Sequence, residues 1–170
     1  ALEQAFREAG EPYDLVVYLA EDPDRGRFLH SSPDGQSRVI PVPNTYNELR
    51  FDERPVIAKI HGAVGRGVEQ RDSFVITEND YIDYLSRAPV ETLVPTQLLS
   101  KLRESHFLFL EYRIRDWNLR VFFHRMWRDQ QRGAKSWAIV EQADDVEKEL
   151  WDNFGIDLFD SNVSTYLDDL

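Results

Sequence analysis

Cysteine is absent from the 170 residues, which excludes disulfides, a thiolate nucleophile and cysteine-ligated zinc. Any apolar run approaching the roughly 20 residues of a membrane-spanning helix is also missing. Clustered lysine and arginine are scarce. With 31 acidic against 20 basic residues the formal charge is -11. That balance speaks against a nucleic-acid surface and against docking to anionic membranes. It leaves room for a small nucleotide, whose site can be locally positive on an acidic protein. The nucleophile elbow G-x-S-x-G, the P-loop and the zinc-protease H-E-x-x-H are not found. No signal-peptide pattern opens the chain, and a cysteine-free composition fits a cytoplasmic home.

What is present is ordinary for a globular protein: 42% hydrophobic and 30% charged residues, enough for one domain with a real core. The opening ALEQAFREAG starts directly on a helical pattern, with no initiator Met and no lead-in strand. It reads as a piece of something longer. Leu2, Ala5, Phe6 and Ala9 share one helix face, and Gly10 is a natural stop. YDLVVYLA reads as a strand buried on both faces. EDPDRGRFLHSSPDGQSR reads as polar turns, and VIPVP as a short edge or loop piece. PVIAKIHG is a strand, AVGRGVEQRD a loop and SFVIT a short strand.

Thr77-Glu78-Asn79-Asp80 reads as a capping box opening a helix. Leu98, Leu99 and Leu102 mark another helix, and HFLFLEYRI a second buried strand. Leu119, Phe122, Phe123 and Met126 form a helix stripe. SWAIVE (strand), DDVEKELWDNFG (helix), IDLFD (strand) and a last helix face at Val163, Tyr166, Leu167 and Leu170 complete the chain. Alternating strands and helices predict a doubly wound α/β fold with a mainly parallel sheet covered on both faces. The expected domain count is one, spanning residues 1–170.

In such folds ligands sit beyond the carboxyl ends of the strands. His61 lies at one such end, in Lys59-Ile60-His61-Gly62. A histidine there suits general-base work, and Gly62 lets a ligand approach closely. The alternative reading is a histidine that merely caps a strand and hydrogen-bonds a loop. Gly62, Gly65 and Gly67 spell G-x-x-G-x-G, not the dinucleotide fingerprint, and lead to a strand, so a plain turn is the better reading. His30 reads as part of a polar loop, His106 as a strand start and His124 as a helix position beside the core stripe. None has a partner at metal-ligand spacing.

A second strand exit is Glu111-Tyr112-Arg113-Ile114-Arg115-Asp116-Trp117-Asn118. Its arginines suit phosphate. Asp116 either caps the following helix or meets a ligand. Trp117 and Trp127 read as packing residues. The acidic EQADDVEKEL and LDDL read as solvated helix faces.

Taken in order, PVIAKIHGAV, SFVITENDYIDYLSR and SHFLFLEYRIRDWNLRVFFHRMW resemble the bacterial sirtuin-like domain family. Its members carry a strand ending Lys-Leu-His-Gly, a Thr-Glu-x-Asp-Tyr helix, and a strand running into Gly-Tyr-Ser-Leu-x-Asp-x-Asn. ALEQAFREAG with YDLVVY, and the ending ELWDNFGIDLFDSNVSTYLDDL, are similar as well, so the resemblance covers nearly the whole chain. It implies a Rossmann-like nucleotide-binding fold and NAD as substrate, with cleavage of the nicotinamide–ribose bond. Many relatives deplete NAD in antiphage defence.

By motif match His61 is the expected catalytic histidine, and Gly62, Glu111, Tyr112, Arg113 and Asp116 are expected at the nucleotide. The family's glycine-rich nucleotide loop lies upstream of residue 1, so the fold is expected to be incomplete at its N-terminus and the isolated chain inactive. Glu111 stands where the family has glycine and Arg113 where it has a small polar residue. A carboxylate where backbone approaches phosphate is repulsive. Two further readings stay open: a non-catalytic module for assembly or for sensing NAD or ADP-ribose, and an NAD-dependent protein deacylase. The missing cysteines disfavour the latter, because deacylase sirtuins usually carry a four-cysteine zinc module. No zinc is expected. A neighbouring regulatory or sensor domain and self-assembly into a homo-oligomer are expected of an effector that must be held in check.

Overall fold

The computed structural model describes residues 2–21, 23–63, 73–74, 94–114, 120–121, 123–124 and 135–168. The chain forms two compact units, Ala1–Ser100 and Lys101–Leu170.

The first unit opens with helix α1, Leu2–Ala9. Its end is built as the sequence predicts. Gly10 takes a positive φ of 70°. Its N–H bonds the Arg7 carbonyl and the Glu11 N–H bonds the Phe6 carbonyl, so the last carbonyls are satisfied by a Schellman turn. Strand β1, Asp14–Tyr18, is buried throughout. Strand β2, Phe28–Ser31, runs antiparallel to it, and β3, Ser37–Ile40, antiparallel to β2. Strand β4, Val56–Lys59, runs parallel to β1 on its other side. The order is therefore β3-β2-β1-β4, a mixed sheet. One face carries Leu15, Val17 and Ile57, against which Phe6, Tyr13 and Ala63 pack. Each such buried aliphatic side chain contributes roughly 1.5–3 kcal/mol.

The hairpin β2–β3 falls where the sequence reads as turns. Its connection is Ser32-Pro33-Asp34-Gly35-Gln36. Gly35 has φ of 85° and donates to the Ser32 carbonyl, and the Gln36 N–H bonds Asp34 Oδ1 at 3.1 Å. Accepting the Gln36 N–H, with help from Ser32, holds the Asp34 carboxyl below its ordinary range. His30 is thus a strand residue, 4% exposed, and not a loop residue. Across from Val16, it shares the other sheet face with Asp14, which is fully buried.

Asp14 Oδ1 accepts from His30 Nε2 at 3.0 Å and Oδ2 from Arg54 Nε at 2.8 Å. The second ring nitrogen of His30 hydrogen-bonds the Tyr46 hydroxyl, to which Arg38 Nη2 donates at 3.3 Å. A buried carboxylate is tolerated only when paired and hydrogen-bonded. Here both oxygens are. The bond to Asp14 in turn raises the Arg54 guanidinium above its ordinary pKa.

Helix α2, Thr96–Glu104, buries Leu98 and Leu99, matching the predicted helix there. In the second unit β7, Leu108–Leu110, β8, Trp137–Val140, and β9, Asp157–Asp160, form a wholly parallel sheet in that order. Strands β5, Gly62–Ala63, and β6, Ser73–Phe74, make a small antiparallel pair in the first unit. Helix α3, Asp145–Asn153, connects β8 to β9 as a βαβ crossover, and α4, Val163–Asp168, follows β9. Trp151 of α3 is 1% exposed, its ring 5.0 Å from Phe109 of β7, which also meets Phe123 at 5.2 Å. The fold class is α/β with parallel strands, as the alternating pattern predicts. The predicted capping box at Thr77, and most of the helix stripe from Leu119 to Met126, lie outside the described residues.

Replacing Asp14 by Asn removes the ionised acceptor of both Arg54 and His30. Urea denaturation is expected to show a loss of about 2–4 kcal/mol. A loss under about 0.5 kcal/mol would contradict the role given to this carboxylate.

Candidate functional site

The first predicted strand exit is at the end of β4. The strand stops at Lys59, and Ile60-His61 forms a turn. Gly62 then takes φ of 86°, a left-handed conformation that favours glycine, and starts β5. So the segment read as strand through Gly62 ends three residues earlier, at Lys59, and Gly62-Ala63, read as strand end and loop, pairs with Ser73-Phe74. His61 is half-buried. It sits at the carboxyl end of a strand with a parallel neighbour, as the sequence predicts. Gly65 and Gly67 lie outside the described residues.

The second exit follows β7. HFLFLEYRI is extended only over Leu108–Leu110. The physical reason is Glu111, whose φ is 52°. A left-handed residue cannot continue a strand, although its N–H still bonds the Ile139 carbonyl at 3.0 Å. The glycine that the resembled family carries at this position is the residue best suited to such backbone. Glu111 is exposed. Tyr112 is half-buried and turned toward the unit's core, its ring 6.1 Å from both Phe109 and Trp151. Asp116 lies outside the described residues.

Arg113 is the most informative of these residues. Its Nη1 donates to Glu147 Oε2 at 3.1 Å and its Nη2 to the Glu141 carbonyl at 3.1 Å. Its side chain remains 56% exposed, while that of Glu147 is completely buried. Glu147 was expected on a solvated acidic face; it faces the core instead. The signal that identifies it is spacing. Ala143, Glu147 and Trp151 recur at i, i+4 and i+8, and all three are buried. Asp144-x-x-Glu147 is also a capping-box spacing. The Asp144 side chain does accept from the Glu147 N–H at 2.9 Å, capping α3. The Glu147 carboxylate goes to Arg113 instead of completing the box.

The carboxyl edge of β7-β8-β9 therefore presents Glu111, Arg113, Glu141 and Gln142, the last with φ of 56° and its N–H bonded to Asp160 Oδ1 at 2.8 Å. Asn162 Nδ2 donates to Glu141 Oε2 at 3.1 Å, tying the start of α4 to the same edge. Hydroxyl-bearing and cationic ligand groups suit the carboxylates, and Arg113 offers N–H donors to an anion. Among the described residues no group of three or more His, Asp or Glu is placed to hold a metal ion. No described helix is long and apolar enough to cross a membrane.

Because position 111 requires a left-handed backbone, Glu111→Gly should raise stability by about 0.5–1 kcal/mol, and Glu111→Val should lower it by roughly 1 kcal/mol or more. Chemical denaturation midpoints read both. A destabilised Glu111→Gly variant would show that the glutamate side chain contributes more than the strain costs.

No curated protein and no solved structure matches this chain significantly. A family model, that of the SIR2-like domain, matches residues 1–159. Nearly the whole chain, both strand exits included, is covered by that match, and the chain belongs to the SIR2-like domain family.

Proposed function

We propose that this SIR2-like domain cleaves NAD between nicotinamide and ribose, with water as the acceptor, and that it serves as the effector domain of a bacterial antiphage protein. SIR2-like domains are NAD-related, which supports NAD as the substrate. The observation that carries the reading is His61, half-buried in the turn at the carboxyl end of β4 and backed by Gly62 at positive φ. In this scheme the nicotinamide–ribose bond breaks as an oxocarbenium ion develops on the ribose. The imidazole of His61 takes a proton from the attacking water, or from a ribose hydroxyl, as the new C–O bond forms. Nicotinamide leaves with the bonding electron pair. Arg113 is the residue suited to a phosphate, and Gly62 allows close approach of ligand to backbone. The absence of cysteine, and so of a four-cysteine zinc module, weighs against protein deacylation. The family resemblance implies gating by a neighbouring domain or by assembly of copies, because unrestrained NAD loss would harm the cell that makes the protein.

A second reading has its own support. Glu111 puts a carboxylate at the strand exit, and Arg113 already shares its charge with Glu147. Both features weaken attraction for a pyrophosphate and favour a non-catalytic module used for assembly.

Nicotinamide release from NAD by the complete gene product decides between the two. Under the hydrolase reading, His61→Ala should lower the rate by about 10²–10⁴-fold with NAD affinity little changed. Release that survives the substitution would remove His61 from the chemistry. Saturable NAD binding without release would favour the sensing module, and neither release nor binding the assembly module.

A further inference from the structure

The buried carboxylate of Glu147 calls for an explanation. It sits one turn before Trp151 on the buried face of α3, where packing alone calls for an apolar side chain. Burying a carboxylate carries a desolvation penalty, and a well-packed apolar residue in place of a buried ion pair is often neutral or stabilising. The pairing is also incomplete. Oε2 accepts from Arg113, whereas Oε1 is buried without a hydrogen-bond partner among the described residues. Stability alone is a poor reason for such an arrangement.

The pair does achieve something specific at its other end. Arg113 follows β7, its Nη1 is held by α3 through Glu147, and its Nη2 is held at the exit of β8 by the Glu141 carbonyl. The backbone of Glu147 is itself fixed, since its N–H is held by the Asp144 cap, and its side chain is completely buried. A long side chain that is free in solution is thus anchored from two directions with 56% of its surface exposed. An anchored arginine loses less conformational freedom when it meets an anion, which favours recognition. Its place is the carboxyl edge of a parallel sheet, where ligands of open α/β folds bind.

We infer that Glu147 is a positioning residue: it holds Arg113 as a preformed anion-recognising group at the carboxyl edge of β7-β8-β9, directed at a phosphate of a nucleoside diphosphate. The identity of that phosphate as part of a nucleotide rests on the proposed NAD reading; the positioning does not.

Two roles of Glu147 predict opposite signs. As a mere negative charge it repels an anionic ligand, so Glu147→Gln would tighten binding. As a positioning group it holds the arginine in place, so Glu147→Gln should weaken binding although a negative charge has been removed. The experiment follows the arginine side-chain nitrogen resonances of the protein while ADP-ribose or inorganic pyrophosphate is added. In the wild type the Arg113 resonance should be separate from those of freely rotating arginines and should shift with either probe. In Glu147→Gln it should move toward the freely rotating set, and both probes should bind about 5–10-fold more weakly. Arg113→Lys retains the charge that compensates Glu147 but cannot bridge both acceptors. It should show the same loss, and it carries the test if Glu147→Gln does not fold. Unchanged or tighter binding in the folded variants, or an Arg113 resonance that neither probe moves, would overturn the proposal. A response to pyrophosphate without one to ADP-ribose would keep the positioning role and refute the nucleotide.

Discussion

Among the described residues each unit holds one fully buried carboxylate, and an arginine compensates it. In the first unit it is Asp14, at the amino end of β1, with Arg54 supplying the charge from just before β4. In the second it is Glu147, in the first turn of α3, with Arg113 supplying it from just after β7. The two differ in completeness. Asp14 has partners on both oxygens and continues through His30 and Tyr46, a satisfied network of the kind that fixes a unique packing. Glu147 has one oxygen without a partner among the described residues, and its arginine is more than half exposed. The first arrangement is complete within the fold. The second is open toward solvent, at the sheet edge where a ligand is expected.

Much of the fold was readable because several elements signal themselves locally. β1 and β8 are continuous apolar runs, α1 ends at Gly10, and α3 begins at Asp144 with Glu147 three residues on. β9 was readable from Ile156 to Asp160 once Gly155 marked the end of α3; its φ is 63°, and the Ile156 N–H returns to the Trp151 carbonyl. The hairpin β2–β3 was not readable as strands before Val39; Val39-Ile40, which open the predicted edge or loop piece VIPVP, close β3 at the sheet edge. Ser37 and Arg38 of β3 are exposed, so it lacks the alternation of a half-buried strand, and Pro33-Asp34-Gly35 made the whole stretch resemble loop. His30 could not be recognised as buried because its partners, Asp14 and Tyr46, each lie 16 residues away.

The site was legible in part. Strand exits at His61 and Glu111 follow from apolar runs ending in polar residues, and the structure places both at carboxyl ends of parallel strands. The left-handed backbone at Glu111 was hidden, since a glutamate does not announce positive φ as a glycine would. Glu147 was hidden for a different reason. Among the acidic residues of EQADDVEKEL, charge suggests solvent, and only the i, i+4 relation to Ala143 and Trp151 reveals which glutamate turns inward. Arg113, suited by type to a phosphate, thus carries a partner from inside the fold, its guanidinium held by Glu147 and by the Glu141 carbonyl.

We propose that the strand exit at His61 of this SIR2-like domain recognises a nicotinamide dinucleotide. Backbone amide shifts recorded during titration with NAD test it most directly. The account predicts saturable shifts at His61 and Gly62, with the amides of the Asp14–His30 network unmoved. Saturable shifts confined to other segments, or none at any concentration, would contradict it.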